Sequence, residues 1–249
     1  MTGDAQRESV ESGRPLDRRR LLANFSIFSS LDERALDALV RVTSTRRLAG
    51  GEVLFRKGDA GRQLYGVLSG RLKAVAAGGD GKEIVFNVCD PGEVIGEIAL
   101  LDSNPRSASI VALEPSELLV LDRRDFLPFL EKHPRVAIQL AELLAARLRW
   151  LSESAEDGVL LALRARLAKK LVSLAQRYGR KMPEGVLIDL PLSQQELGEM
   201  VGTSRESINK QLRAWTEQGL LVMAKGKITL CDVAGVEAMG RLAIDYMSE

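Results

Sequence analysis

Residues 91–108, PGEVIGEIALLDSNPRSA, decide how the chain reads. The stretch starts with two strand-like apolar residues, Val94 and Ile95, and turns at Gly96-Glu97. It continues as a short apolar turn from Ile98 to Leu101, crosses a polar loop from Asp102 to Pro105, and ends in Arg106-Ser107-Ala108. One carboxylate, Glu97, and one guanidinium, Arg106, stand nine residues apart around a Gly-started turn. Small residues (Gly96, Ala99, Ser107, Ala108) keep the backbone accessible. Such a loop can offer backbone N–H groups and an Arg fork to a phosphate, while Glu97 accepts from a pair of hydroxyls. By charge alone, Glu97 and Arg106 also fit a solvated ion pair flanking a turn.

Around this stretch, from Thr43 to Leu121, short apolar alternations recur: Val53 to Phe55, Leu64 to Leu68, Leu72 to Ala76, Ile84 to Val88, Ser109 to Ala112 and Glu117 to Leu121. Turn signals separate them at Lys57-Gly58-Asp59, Ser69-Gly70, Gly78 to Gly81 and Asp90-Pro91-Gly92. Many short strands with Gly-rich turns predict a small antiparallel roll or barrel. Gly58, Gly70 and Gly92 read as turn formers, and Gly96 as part of the site. Ahead of the roll, Met1 to Asp17 is polar and aperiodic and reads as a disordered lead-in. Arg18 to Arg20 fits a basic arm but reads better as a solvated helix start. Ser30 is a candidate N-cap, with Glu33 completing a capping box before Leu36, Leu39 and Val40. Beyond the roll, Phe126, Phe129 and Leu130 predict a short amphipathic helix ending at His133-Pro134.

The composition bounds the function. With 249 residues, 45% of them hydrophobic, and a net charge of +1, the chain has room for one large domain or two ordinary ones. No apolar run is long enough to span a membrane. The polar stretch from Thr2 to Arg20 lacks the apolar centre of an export signal, so a cytoplasmic location is expected. Cys89 and Cys231 are far apart, and His133 is the single histidine. That removes most metal sites and most Ser-His or Cys-His arrangements, so neither a metal nor enzyme chemistry is expected. The charge is unevenly placed. Residues 160–227 hold 12 Lys and Arg against 6 Asp and Glu, whereas residues 231–249 hold 1 against 4. A basic segment inside a near-neutral chain points to a polyanionic partner for that segment.

The ordered pattern Gly-Glu-Ile-Ala-Leu, then Arg-Ser-Ala after a short loop, closely resembles the phosphate-binding cassette of cyclic-nucleotide-binding domains. The resemblance assigns a ribose hydroxyl to Glu97 and the cyclic phosphate to Arg106 and Ser107. Gly96, Ile98, Ala99 and Ala108 complete the cassette. It also places Arg147 near the phosphate and the ribose-binding Glu, and puts two positions that touch the base at Leu151 and Ser152. Leu151 departs from the usual Thr, while Ser152 keeps a hydroxyl. Asn87 falls where a small residue faces the purine; an amide pairs with an adenine or a guanine edge, so cyclic AMP and cyclic GMP both stay open.

After Pro134 a long helix is expected. Ala137, Ala141, Leu144, Leu148, Leu151, Ala155, Gly158 and Ala162 repeat at the alternating spacing of a coiled-coil seam. A single helix packed on the roll fits the same pattern. The resemblance favours a two-chain seam, hence a homodimer. Residues 163–175 should continue as helix, with Arg177 to Glu184 as loop and Val186 to Leu190 as strand.

Ser193-Gln194-Gln195-Glu196 is a capping box that opens a short helix through Leu197, Met200 and Val201, broken at Gly202. Thr203 or Ser204 caps a second helix, Thr203 with Glu206 forming its box, and Ile208, Leu212 and Trp215 give the buried face. Two helices across a short Gly-containing turn predict a helix-turn-helix. Leu220 to Leu230, with Lys225 and Lys227 at its tip, reads as a hairpin wing. Arg205, Glu206, Asn209 and Lys210 on the second helix are residue types that read base edges. The alternative is a solvated face with an internal Glu206–Lys210 pair. Ser-Arg-Glu-Ser resembles the recognition helix of the cyclic-AMP receptor protein family. The resemblance implies a TGTGA-like palindrome read by Arg205, Glu206 and Lys210, and RNA polymerase as a partner. Lys210 stands where an Arg is usual and lacks its bidentate fork.

The reading is an α+β chain. Residues 1–20 form the lead-in, 21–134 a cyclic-nucleotide-binding β-roll, 135–162 a dimerisation helix and 163–249 a winged helix-turn-helix. The helix expected at 232–247 has no assigned role. The expected function is a cyclic-nucleotide-responsive DNA-binding regulator. A regulator of the same family answering to redox, haem or no effector is the alternative. An iron–sulfur branch would need an N-terminal cysteine cluster that the chain lacks, and haem would rest on His133 or Cys89.

Overall fold

A computed structural model describes residues 15–77, 83–224 and 226–245. The lead-in from Met1 to Arg14, the glycine turn at 78–81, Lys225 and the last residues of the tail lie outside the described residues.

The chain begins with helix α1 (Pro15–Ala23), a 3-10 turn (Ser26–Phe28) and α2 (Glu33–Arg41). Helix therefore starts inside the stretch read as disordered lead-in. A proline at its first position is preset for a helix. The N-cap of α2 is Asp32 rather than Ser30: Ala35 N–H donates to the Asp32 carboxylate at 2.8 Å. The Ser30 hydroxyl instead donates to Gln139 Oε1 at 2.8 Å.

The roll follows: β1 (Thr43–Leu48), β2 (Val53–Phe55), β3 (Gln63–Ser69), β4 (Leu72–Ala77), β5 (Glu83–Cys89), β6 (Val94–Ile95), the short α3 (Glu97–Asp102), β7 (Ser109–Ala112) and β8 (Ser116–Asp122). They form two antiparallel four-stranded sheets, in the orders β1-β8-β3-β6 and β2-β7-β4-β5. Strand β8 shows how the pleat sorts one apolar run. Leu118 and Val120 join Val67, Leu72, Ile95 and Ile110 between the sheets. Leu119 and Leu121 face the other way, onto Leu22, Phe25, Phe28, Leu39 and Phe126. The helical N-terminus thus covers the outer face of the first sheet. Each such fully buried leucine contributes about 1.5–3 kcal/mol.

Helix α4 (Arg123–Lys132) leads to α5 (Pro134–Leu160). His133 sits between them, its ring 4.3 Å from that of Phe129. Helix α5 buries Val136 and Leu140 against the N-terminal helices and the first sheet, and stays on the roll at least as far as Arg147, which bonds Glu97 and Val94 O. Leu148, Leu151, Val159 and Leu160 are exposed. The helix stops at Leu160; Leu161 and Ala162 are extended, so the heptad pattern ends before Ala162. Arg166 fixes this break. Its guanidinium donates to Gly158 O at 3.2 Å, to Leu161 O at 3.1 Å and to Val201 O at 3.1 Å, so one side chain satisfies carbonyls that a helix end leaves open.

Helix α6 (Leu163–Tyr178) runs directly into a hairpin of β9 (Gly179–Met182) and β10 (Gly185–Ile188). The segment expected as loop is therefore helix end and strand; its exposed polar residues gave no alternation to read. Then come α7 (Gln194–Val201), α8 (Arg205–Glu217), β11 (Leu221–Ala224), β12 (Lys227–Leu230) and α9 (Val233–Asp245). The third sheet has the order β11-β12-β10-β9. One core joins these elements: Leu167 and Leu171 of α6, Leu197 of α7, Ile208, Leu212 and Trp215 of α8, Leu221, Leu230 and Val236. Val88 of the roll is part of the same core, and Leu113 packs against it.

Candidate ligand cavity and nucleic-acid interface

The cassette folds as its residues dictate. Val94 and Ile95 pair with Gly66 and Tyr65 of β3. Gly96 then takes φ +85° as the N-cap of α3. A side chain there meets two obstacles: the left-handed backbone, and a Cβ 2.3 Å from Arg106 Nη1. Gly61 is as constrained, since a Cβ would lie 2.5 Å from Ala99 Cβ and 2.8 Å from Arg106 Nε.

Arg106 and Glu97 are both buried, at 4% and 2% exposure, which removes the solvated ion-pair reading. They are not paired with each other. Arg106 Nη1 donates to Gly96 O at 2.9 Å and Nη2 donates to Gln63 O at 2.8 Å. Its guanidinium lies 4.1 Å from the Phe55 ring centre. Main-chain bonds to Asp59 and from Gly58 hold its backbone. Burial pushes the guanidinium down from its ordinary value. Two of five N–H donors are engaged with carbonyls, and Nε has no protein partner. Glu97 Oε1 accepts from Arg147 Nη1 at 2.5 Å, and Arg147 Nη2 donates to Val94 O at 2.7 Å. Burial pulls the Arg147 guanidinium down, but the Glu97 charge and hydrogen bond outweigh it and the net shift is upward. Among the described residues the one side-chain bond to Glu97 is at Oε1, leaving Oε2 open.

These groups wall a cavity of about 450 Å³. Gly96, Glu97, Ile98, Ala99, Arg106, Ser107, Ala108, Asn87, Arg147 and Leu151 all line it. Ser107 and Ile98 are exposed at its mouth. Ser152 is exposed and does not line the cavity of its own chain. Phe55, Phe86, Cys89, Leu148 and Trp150 also line it and were not picked out from sequence. Phe86 has a definite cause. A bulge in β5 pairs Ala74 with Asn87 but Val75 with Val85, leaving Phe86 unpaired. Bulges re-aim side chains, and two successive residues, Phe86 and Asn87, face one cavity. Nothing in the apolar alternation marks it. Trp150 could have been noticed as the aromatic flanking the seam. Burial pushes the Cys89 thiol up to about 12, so it stays neutral. The arrangement offers an anion a guanidinium and hydroxyls a carboxylate, beside an apolar wall.

In the C-terminal part, Ser193 caps α7 and forms the full box with Glu196. Gly202, at φ +70°, ends that helix. The N-cap of α8 is Ser204, whose side chain accepts from Ser207 N–H at 3.2 Å. The box expected between Thr203 and Glu206 does not form, because Thr203 lies one residue outside the cap. Arg205, Glu206 and Lys210 are exposed and Asn209 is half-buried, while Ile208, Leu212 and Trp215 are buried on the other face. Among the described residues no ion pair joins Glu206 to Lys210. Ser193, Arg205 and Lys227 line one concavity of about 470 Å³ together with Gln194 and Gln195, which sequence did not single out. Lys227 is already paired with Asp189 at 2.5 Å. Lys225 lies outside the described residues.

Among the described residues no group of three or more His, Cys, Asp or Glu could hold a metal, and no helix is long and apolar enough to cross a membrane. Residues 45–133 match the cyclic nucleotide-binding domain family, and residues 165–239 match the Crp-like helix-turn-helix domain family. The cyclic AMP receptor protein of Thermus thermophilus is 33% identical over 211 residues, covering 85% of this chain and 94% of that protein. The CRP-like cAMP-activated global transcriptional regulator of Mycobacterium tuberculosis is 28% identical over 212 residues, 85% of this chain and 95% of its own. The c-di-GMP responsive global regulator CLP of Xanthomonas campestris has a solved structure that superposes with a TM-score of 0.73 at 25% identity. That match covers 80% of this chain and 99% of CLP. A nucleotide-binding roll, a long helix and a helix-turn-helix in this order, with full-length relatives, place the chain in the CRP/FNR family of DNA-binding transcription regulators.

Proposed function

We propose that the chain is a cyclic-nucleotide-responsive, sequence-specific transcription regulator that works as a cytoplasmic homodimer. The observation that carries this is the buried pair of opposite charges, Glu97 and Arg106, on one cavity wall, each with hydrogen-bonding capacity left over. Glu97 takes a ribose hydroxyl, Arg106 and Ser107 the cyclic phosphate, and Asn87 a purine edge. The cyclic AMP named in the Thermus and Mycobacterium relatives supports this assignment. One observation favours a second reading, a different effector in the same cavity. The α5 wall, apart from Arg147, is apolar (Leu144, Leu148, Trp150, Leu151), and CLP is named as responding to c-di-GMP. Titration with cyclic AMP, cyclic GMP and cyclic di-GMP decides between them by which one binds.

The exposed leucines of α5 fit a second copy of the same helix, since a coiled-coil seam buries such residues. Sedimentation equilibrium should give the mass of two chains of 27.2 kDa; the mass of one chain would contradict the seam. In a dimer two α8 helices can enter successive major grooves about 34 Å apart. The ligand must bind the DNA-competent arrangement more tightly, by about 5.5 kcal/mol for a near-complete switch.

Arg205, Glu206 and Lys210 read the base edges, with RNA polymerase recruited at a TGTGA-like palindrome. Glu206→Ala should lose about 1–3 kcal/mol of discrimination at one base pair. Binding to non-specific DNA should barely change, because phosphate contacts supply it. Selection from random duplexes checks this, and an unaltered consensus would count against the placement of α8.

A further inference from the structure

The stretch from Asp90 to Glu97 joins the cavity to the C-terminal part of the molecule. At one end Arg147 holds Glu97 and Val94 O together, as described above. At the other end Asp90 is a hub. Its Oδ1 accepts from Arg71 Nε at 3.2 Å, and its Oδ2 accepts from Arg177 Nε at 2.7 Å and from the Tyr178 hydroxyl at 2.8 Å. Arg177 Nη2 also reaches Glu93 at 2.5 Å. The Arg71 and Arg177 guanidinium carbons lie 5.6 and 5.4 Å from the Tyr178 ring centre.

Arg177 and Tyr178 are the last two residues of α6, and Tyr178 O accepts from Asp189 N–H at 2.9 Å at the end of β10. The contact is therefore made to the frame that carries α7 and α8. Between its ends the stretch is stiff. Gly92 N–H donates to Val67 O and Val67 N–H donates to Glu93 O, both at 2.9 Å, and β6 is paired to β3. A second bond in the same docked arrangement runs from Lys73 Nζ of β4 to Glu196 Oε1 of α7 at 2.8 Å. Burial pushes the Tyr178 phenol up, so it remains a donor toward Asp90.

We propose that the Asp90–Glu97 segment is the coupling element of this protein, with Asp90 gripping the end of α6 so that effector at Glu97 and DNA at α8 bias one and the same docking contact. Two donors of α6, Arg177 and Tyr178, converge on one carboxylate that Arg71 of the roll holds from its own side, so the contact is made or released as a unit. Charge-assisted bonds of this kind are about twice as strong as neutral ones. The proposal rests on the effector-responsive reading above. Linkage makes it reciprocal: whatever effector does to DNA affinity, DNA does to effector affinity.

The test uses the native full chain, Asp90→Asn and Tyr178→Phe. Asp90→Asn keeps the shape and removes the charge; Tyr178→Phe removes one donor and guards against a folding defect in the first variant. Cyclic AMP and cyclic GMP are titrated by calorimetry, and affinity for a duplex selected by the native protein is measured with and without the nucleotide that binds. The native ratio of the two DNA affinities should fall in the ordinary range of about 5–150-fold. Asp90→Asn should cut that ratio at least about fivefold and Tyr178→Phe by less, both keeping nucleotide affinity within about threefold of native, as expected for positions outside the cavity. Normal nucleotide binding with an unchanged ratio in both variants overturns the coupling role alone. No nucleotide bound by the native chain overturns the effector reading, and the coupling role with it.

Discussion

Arg106→Ala should lose cyclic-nucleotide binding altogether within the range of a calorimetric titration, and should also melt earlier. The first effect follows from removing the cationic fork of the cavity; hydrogen bonds to a charged group are worth about 1.5–3 kcal/mol each, so two of them account for more than a hundredfold. The second effect is a consequence of the fold. Arg106 is the donor to Gly96 O and Gln63 O, and it fills the space under Phe55. Truncation leaves two carbonyls without partners, at about 1–3 kcal/mol each where they are buried. The two effects separate in Arg106→Lys. A lysine keeps the positive charge but not the two-pronged reach, so it should recover part of the anion affinity and less of the melting temperature. Unchanged nucleotide affinity in Arg106→Ala would remove the cavity from the account.

Trp215→Ala should abolish specific DNA binding while leaving nucleotide binding measurable. Trp215 is fully buried in the core that joins α6, α7, α8, β11, β12 and α9. Its truncation leaves a cavity among Leu171, Leu197, Ile208 and Leu212, at about 3–5 kcal/mol, a large part of the stability of an ordinary domain. The indole N–H has no hydrogen-bond partner, so Trp215 acts through volume and not through a polar contact. Trp215→Phe, which retains most of the volume, should restore DNA binding. A mobility-shift assay next to a nucleotide titration checks both. DNA affinity surviving in Trp215→Ala would show that α8 is held in place by something other than this core.

Much of this was legible in the sequence, for identifiable reasons. The cassette is contiguous: its glycine, acid, arginine and small residues lie within one loop, so their order carried the geometry before any fold was known. The helix-turn-helix was legible for the same reason, with two caps and one glycine break within a short window. Capping positions were less secure, because neighbouring polar residues compete for them. Asp32 displaced Ser30, and of the two candidates for α8 it is Ser204, not Thr203, that caps. The rest of the cavity comes from distant elements. Phe86 enters through a bulge in β5, and Trp150 arrives on α5. No local pattern announces which residues of a helix will face a cavity built by strands far away in sequence. The same holds for Arg166 and Asp90, whose partners lie in other elements and whose roles are created by the docking of one part of the chain on another. Strand β9 was missed because all four of its residues are exposed and only Met182 is apolar, so no alternation shows, and pairing with β10 supplies what its own sequence does not.

Isothermal titration of the native protein with cyclic AMP and with cyclic GMP, run beside Arg106→Ala and Glu97→Gln, tests the central claim most directly. Saturable heat with at least one nucleotide, one site per chain, is the predicted result, with no heat in Arg106→Ala and strongly weakened binding in Glu97→Gln. No heat with either nucleotide in the native protein, or native-like heat in both variants, would contradict it.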